Sequence, residues 1–207
     1  MYKHLIFDLD GTLIDTEDAI IQSLDKVVQN YLGKQCNEIE LHFALGIPGR
    51  DALELLGITD VQRALDEWDR YLKEYQHLIN IFPGIEQTLH TLQEQGVSMG
   101  IVTSKTRQEL KDDFLHMDAS HHFPVMICAD DTIMHKPNPE PLLAYMNRCG
   151  IEPHTAIYIG DTRYDRDAAH GAALDFALAG WGAKAEVGGA KYILQQPSDL
   201  LQLIART

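Results

Sequence analysis

A chain of 207 residues with 45% hydrophobic and 23% charged side chains can bury a real core, and its length suits one domain or one domain carrying an insertion. Its formal net charge of −14 argues against binding nucleic-acid polymers or anionic membranes by general attraction. It leaves room for a small phosphorylated ligand, because a metal and a few cations can reverse the field locally.

The first element is the apolar run Leu5-Ile6-Phe7, short enough and bounded closely enough to be a buried strand. Asp8 and Asp10 follow at a spacing of two, so along a strand they start on the same side, and the Gly11-Thr12 pair turns the chain. Parallel α/β sheets bind ligands in the crevice at the carboxyl ends of their strands. Two adjacent carboxylates there repel each other, and a hard divalent cation such as Mg²⁺ is the simplest remedy. A solvated acidic turn explains the same residues without a ligand.

From about Thr16 to Asn80 the pattern is helical throughout. Ala19, Ile20, Leu24, Val27, Val28, Tyr31 and Leu32 recur at helical spacing up to Gly33. A second piece covers about Ile39 to Leu45 and stops at Gly46-Ile47-Pro48-Gly49. Arg50 to Leu56 is a short helix closed by Gly57, and Asp60 reads as the N-cap of a helix over Val61 to His77. Arg50, a fork-shaped cation after the glycine breaker, is a candidate for holding a substrate carboxylate or second phosphate, and equally an arginine at a solvated helix start. Trp68, Tyr71 and Tyr75 share one stripe, which suits the core of the helical block.

The pattern then alternates. Helix is expected over Ile85–Gln95, strand over Val97–Thr103, helix over Lys105–Met117 and strand over Val125–Cys128. Helix follows over Pro139–Cys149, strand over Ala156–Ile159, helix over Arg163–His170 and strand over Leu174–Leu178. A short strand at Tyr192–Leu194 and a helix over Ser198–Ile204 end the chain. The expected fold is α/β, a Rossmann-like parallel sheet covered by helices on both faces, with an inserted helical cap. The expected division is a core of residues 1–15 and 81–207 and a cap of residues 16–80 beside the crevice, well placed to act as a lid.

Three more polar groups fall at expected strand ends. Thr103-Ser104-Lys105 offers a hydroxyl and backbone amides to an anion, or simply an N-cap. Lys136 stands among three prolines, which hold its segment extended and give it a rigid platform for neutralising a phosphoryl oxygen or a carboxylate. Asp161 ends a strand as Asp8 does, with Asp165 one turn later; they suit a metal site, or an N-cap and a first-turn acid. Cys36, Cys128 and Cys149 form no CxxC and read as free thiols in a reducing compartment. With neither a signal peptide nor a membrane-spanning run evident, a soluble cytoplasmic protein is expected.

Together, Asp8-Leu9-Asp10-Gly11-Thr12-Leu13, Thr103, Lys136 and Gly160-Asp161 with Asp165 make the chain resemble the haloacid dehalogenase superfamily. The likeness covers nearly the whole length and is strongest to its capped phosphatases, the phosphoglycolate phosphatase group above all. It implies Asp8 as the nucleophile of an aspartyl-phosphate and Asp10 as general acid and base. It implies Mg²⁺ held by Asp8, the Asp10 carbonyl and Asp161, with Asp165 supporting. It also implies a phosphoryl cradle of Gly11, Thr103, Ser104 and Lys136.

Within the superfamily the chain resembles, dehalogenases lack an aspartate at the place of Asp10 and β-phosphoglucomutase-like members carry a cap histidine. By that resemblance, Asp10 implies phosphate esters over dehalogenation, and the lack of a histidine in Asp15–Ser23 implies hydrolysis over mutase chemistry. The implied substrate is a small phosphorylated metabolite, phosphoglycolate foremost. Sugar phosphates, nucleotides and pyrophosphate remain open, as do a phosphotransferase or mutase of the same superfamily and, last, a non-catalytic regulator. The resemblance allows a monomer or a homodimer.

Overall fold

The structure is a computed structural model describing residues 2–204. Six strands form one parallel sheet: β1 (His4–Phe7), β4 (Ser98–Val102), β5 (Val125–Ile127), β6 (Ala156–Gly160), β7 (Asp175–Ala179) and β8 (Tyr192–Leu194). Their order across the sheet is β5-β4-β1-β6-β7-β8. The chain first winds one way from β1 and then returns to the other side of it. A doubly wound sheet opens its ligand crevice at that reversal, so β1 and its neighbour β6 end where a ligand would sit.

Alternation along the strands explains the layers. Leu5, Phe7, Ile101, Ile157, Ile159 and Ala177 belong to one apolar cluster, and Ile6, Val102, Tyr158, Phe176 and Leu178 to another. Successive side chains point to opposite faces, so a run of apolar residues serves both. Helices α5 (Ile85–Glu94) and α6 (Arg107–Asp113) cover the first face through Leu89, Leu92 and Leu110. On the other, α7 (Glu140–Cys149) and α8 (Arg163–Gly171) present Leu142, Tyr145, Ala168 and Ala169. The α/β expectation is met.

Between β1 and α5 the chain forms α1 (Glu17–Leu32), α2 (Glu38–Leu41), α3 (Gly49–Leu55) and α4 (Val61–Tyr75). These helices have an apolar cluster of their own, built on Leu24, Val27, Leu41, Leu53, Ala64 and Trp68. Helix α1 ends where Gly33 takes the left-handed conformation (φ +61°) and its amide returns to the Gln29 carbonyl. Asp60 precedes α4, but its side chain makes no capping bond.

Some elements differ from expectation. Ile14–Asp15 (β2) and Asn80–Ile81 (β3), which the sequence leaves unmarked, pair antiparallel as the chain enters and leaves the helical segment. Two residues are too few to show a period of two, so pairing alone reveals them. Helix α6 begins later than expected. The Lys105 carbonyl already accepts from Ala129 N at 2.8 Å, and a capping box between Thr106 and Glu109 starts the helix. The proline-rich segment turns at Lys136–Pro137, a cis peptide, rather than running extended. The expected C-terminal helix is a 3₁₀ run, Pro197–Leu203.

Candidate active site

Strand β1 ends at Asp8, whose amide donates to the Ile159 carbonyl of β6 at 2.8 Å. That bond carries the sheet ladder one residue past the strand and sets Asp8 beside the end of β6. Gly11 then turns the chain at φ +71°, and a Cβ there would overlap the Asp161 carboxylate. Only glycine combines that backbone with that approach. Thr12 Oγ1 donates to Asp161 Oδ1 at 3.3 Å, and Trp181 Nε1 fixes the same turn by donating to the Thr12 carbonyl at 2.9 Å.

Asp8, Asp161 and Asp165 converge, with one carboxylate oxygen from each lying within 4.8 Å of the others. All three are buried, and so is Lys136. Lys136 Nζ lies 2.8 Å from Asp8 Oδ1 and donates to Asp165 Oδ1 at 2.7 Å. Asp165 is fully engaged. Its Oδ1 takes Lys136 and, at 3.2 Å, the Tyr158 hydroxyl, while its Oδ2 accepts from Thr162 N at 3.0 Å and Thr162 Oγ1 at 2.6 Å. Asp8 Oδ2, in contrast, is buried with no partner among the described residues.

Burial raises the Asp8 carboxyl to about 7, with Asp165 and Asp10 adding to the rise and Lys136 opposing it. Burial, then Asp165 and Asp8, lift Asp161 well above the ordinary carboxylate range. Burial works against the Lys136 charge, but Asp165 and Asp8 outweigh it and hold the ammonium above its usual value. Three carboxylates face one ammonium, a deficit of two positive charges. An orphaned oxygen, oxygen-only donors and that deficit all fit a hard divalent cation.

Asp10 stands apart from this cluster. Its Oδ1 accepts from Thr16 Oγ1 at 2.8 Å and lies 3.2 Å from Lys105 Nζ, which also donates to Asp113 Oδ2 at 2.8 Å. Asp8 and Asp10 nevertheless line one crevice, closed from the helical segment by Ile20, Ile47, Leu65 and Trp68 and from the β4 loop by Ser104 and Lys105. Trp68 is held there by donating to Ser23 Oγ at 2.9 Å, so part of the aromatic stripe faces the crevice as well as its own core. The two sides touch where Ser104 Oγ donates to the Gly46 carbonyl at 2.9 Å.

Thr103 is buried beside the site and accepts from Lys105 N at 3.1 Å. Arg50 is not in the crevice. It is exposed and donates to Gln62 at 2.9 Å, because as the second residue of α3 it follows Gly49, which packs against Leu65 and Trp68, and faces outward. The sequence does not mark Tyr158 and marks Lys105 only as the last of the Thr103-Ser104-Lys105 group, with no role for its side chain. A tyrosine in an apolar strand gives no sign that its hydroxyl will reach Val102 O at 2.8 Å as well as Asp165. Lys105 carried one signal, its place directly after the strand-end Thr103-Ser104 pair.

Residues 5–179 match the model of the haloacid dehalogenase-like hydrolases. Pyrophosphatase PpaX of Bacillus pumilus is 30% identical over 97% of the chain and 95% of its own length, and its namesake in Anoxybacillus flavithermus is 30% identical over 98% and 97%. A crystal structure from Lactobacillus plantarum, of a candidate phosphoglycolate phosphatase, superposes with a TM-score of 0.90 at 30% identity, covering 98% of this chain and 99% of that one.

Proposed function

The chain belongs to the haloacid dehalogenase-like hydrolases, and we propose that it is a Mg²⁺-dependent phosphatase acting on a small phosphate compound through an aspartyl-phosphate on Asp8. The observation that carries this reading is the buried, partnerless Asp8 Oδ2 beside Lys136 and Asp161. A nucleophile must keep a lone pair free, and this oxygen is the one buried carboxylate atom of the cluster without a hydrogen-bond partner among the described residues.

Asp8 and Asp161 would hold the metal with the Asp10 carbonyl, and Asp165 would back them, since both of its oxygens are already engaged. When bound, Mg²⁺ supplies charge neutralisation for the phosphoryl oxygens and the nucleophile. The chain's own residues do the rest. Lys136, Thr103, Gly11 and the Ser104 amide cradle the phosphoryl oxygens. An Asp8 oxygen forms a bond to phosphorus as the bond to the leaving oxygen breaks, and Asp10 gives that oxygen its proton. Water then attacks phosphorus, its proton passes to Asp10, and the Asp8–phosphorus bond breaks to release phosphate. Positioning and charge do most of this work, as phosphoryl transfer requires.

Residues 16–80 serve as a cap whose Ile20, Ile47, Leu65 and Trp68 exclude water above Asp8 and Asp10. Phosphoglycolate is the first substrate we assign, in keeping with the motif resemblance and the Lactobacillus structure. Pyrophosphate is the second, favoured by two relatives of that name along nearly the whole chain.

The test is phosphate release from phosphoglycolate, pyrophosphate, hexose phosphates and nucleoside monophosphates, with Mg²⁺ and then with chelator. Metal-dependent release that disappears in Asp8→Asn is expected. Release that persists in Asp8→Asn would overturn the mechanism, and silence across the panel would overturn the reaction class.

A further inference from the structure

Lys105 joins two carboxylates that the chemistry above does not otherwise connect. It is almost wholly buried, lies 3.2 Å from Asp10 Oδ1 and donates to Asp113 Oδ2 at 2.8 Å. The three residues come from separate places: the turn after β1, the loop after β4 and the end of α6. The Lys105 backbone is pinned at both its polar groups, since its amide donates to Thr103 Oγ1 at 3.1 Å and its carbonyl accepts from Ala129 N at 2.8 Å. The stem of the side chain therefore starts from a fixed point.

Asp10 Oδ1 also accepts from Thr16 Oγ1 at 2.8 Å, so a hydroxyl donor and the ammonium meet at one oxygen. No hydrogen bond reaches Asp10 Oδ2 among the described residues. A carboxylate clamped through one oxygen has lost its rotation and presents the other in a set direction, and Asp10 lines the same crevice as Asp8. A lysine needed only to tie α6 to the β4 loop would be satisfied by Asp113 alone. Burying an ammonium between two acids is moreover a poor way to gain stability, because the desolvation cost offsets much of the attraction.

We propose that Lys105, backed by Asp113, is a positioning residue that fixes Asp10 for proton transfer to and from the oxygen lost and gained at phosphorus. It rests on the phosphatase reading and adds to it residues that hold the acid–base group without touching substrate. Asp113 keeps Lys105 from swinging fully onto Asp10, and the Thr16 hydroxyl completes the clamp. In the first step Asp10 gives its proton to the departing oxygen, and in the second it takes one from water. Misplacing a reacting group by about 1 Å can cost 10²-fold in rate.

The experiment compares kcat/KM for ethyl phosphate, whose alkoxide needs a proton to leave, with that for p-nitrophenyl phosphate, whose phenolate does not. For both, kcat/KM reports the steps up to the loss of the leaving group. In Lys105→Met it should fall about 10²-fold on ethyl phosphate and less than tenfold on p-nitrophenyl phosphate. Lys105→Arg should recover part of the difference. Asp113→Asn, which keeps the ammonium and supports the fold if Lys105→Met does not, should show the same pattern at smaller amplitude.

Equal losses on the two esters, or no loss, would overturn the proposal and assign Lys105 to packing or phosphate binding. The wild type separates this from the underlying reading: if it releases phosphate neither from these esters nor from the phosphate compounds of the panel above, the phosphatase reading fails first. If it turns both over while the variants lose them equally, only the role of Lys105 fails.

Discussion

Lys136 meets Asp8 at 2.8 Å with both side chains sealed from solvent, and the other oxygen of that carboxylate has no partner among the described residues. One half of the nucleophile is anchored and the other is open. The same ammonium reaches Asp165 at 2.7 Å, so a single cation orders two of the three acids.

Replacing Lys136 by Met removes the one positive charge from this cluster. Leaving buried carboxylates uncompensated costs about 3–5 kcal/mol of stability, and kcat should fall by about 10²–10³, the scale for losing one donor to a transition-state oxyanion. Thermal melting and steady-state kinetics on the same preparation measure both. A variant with wild-type kcat would remove Lys136 from the site.

Asp8→Asn should abolish turnover and also change how stability depends on pH. The Asp8 carboxyl rises from its ordinary 3.8 to about 7 in the folded, metal-free protein, chiefly through burial. Between those values the folded state holds a proton that the unfolded chain has released. Stability therefore falls as pH rises through that window and stays reduced above it. The amide escapes this loss. Without metal, Asp8→Asn should melt higher than wild type at pH 8 and at the same temperature near pH 4; a difference that does not grow with pH would show that Asp8 carries no such burden.

Mg²⁺ should reverse the repulsion. Saturation at about a hundred times Kd adds about 2.7 kcal/mol, and binding should tighten as pH rises, because protons compete for Asp8 and for Asp161, whose pKa burial also raises. Asp161→Asn should lose this thermal shift while remaining folded. Calorimetric titration of the chelated protein with Mg²⁺ decides it, and an unchanged affinity in Asp161→Asn would move the metal elsewhere.

Gly46 is where the helical segment comes down on the sheet. Its φ is +87°, its carbonyl accepts from Ser104 Oγ, and a Cβ would stand 2.9 Å from Thr162 Cγ2. Gly46→Ala should cost about 1–3 kcal/mol through that strained backbone and lower kcat/KM by about tenfold as the crevice loosens. Arg50→Ala, at an exposed position whose side chain donates to Gln62, should leave kcat/KM within about twofold by comparison. Kinetics on both variants with one substrate distinguish the two positions.

Much of this arrangement was legible before any coordinates. The apolar run before Asp8, the alternation of strand and helix, and the polar residues at strand ends are local patterns, and a parallel sheet brings its strand ends to one edge by construction. Hence Asp8, Asp161, Asp165 and Lys136 stood among the candidates, the family resemblance joined them as one site, and all four meet. Arg50 could not be placed, because one residue of rotation along α3 separates the crevice from solvent, and only the packing of Gly49 on Leu65 and Trp68 fixes it.

Tertiary structure alone decided who satisfies whom. Tyr158 reaching Asp165, Thr162 closing its second oxygen, the two-residue ribbon of β2 and β3, and Lys105 shared by Asp10 and Asp113 join residues whose partners no local period announces. The sequence determined which groups stand at the carboxyl edge of the sheet, because hydrophobic periodicity sets strand ends. Which oxygen is engaged and which is left free depends on strand order and helix rotation, and those are settled only when every buried polar group must find a partner in three dimensions.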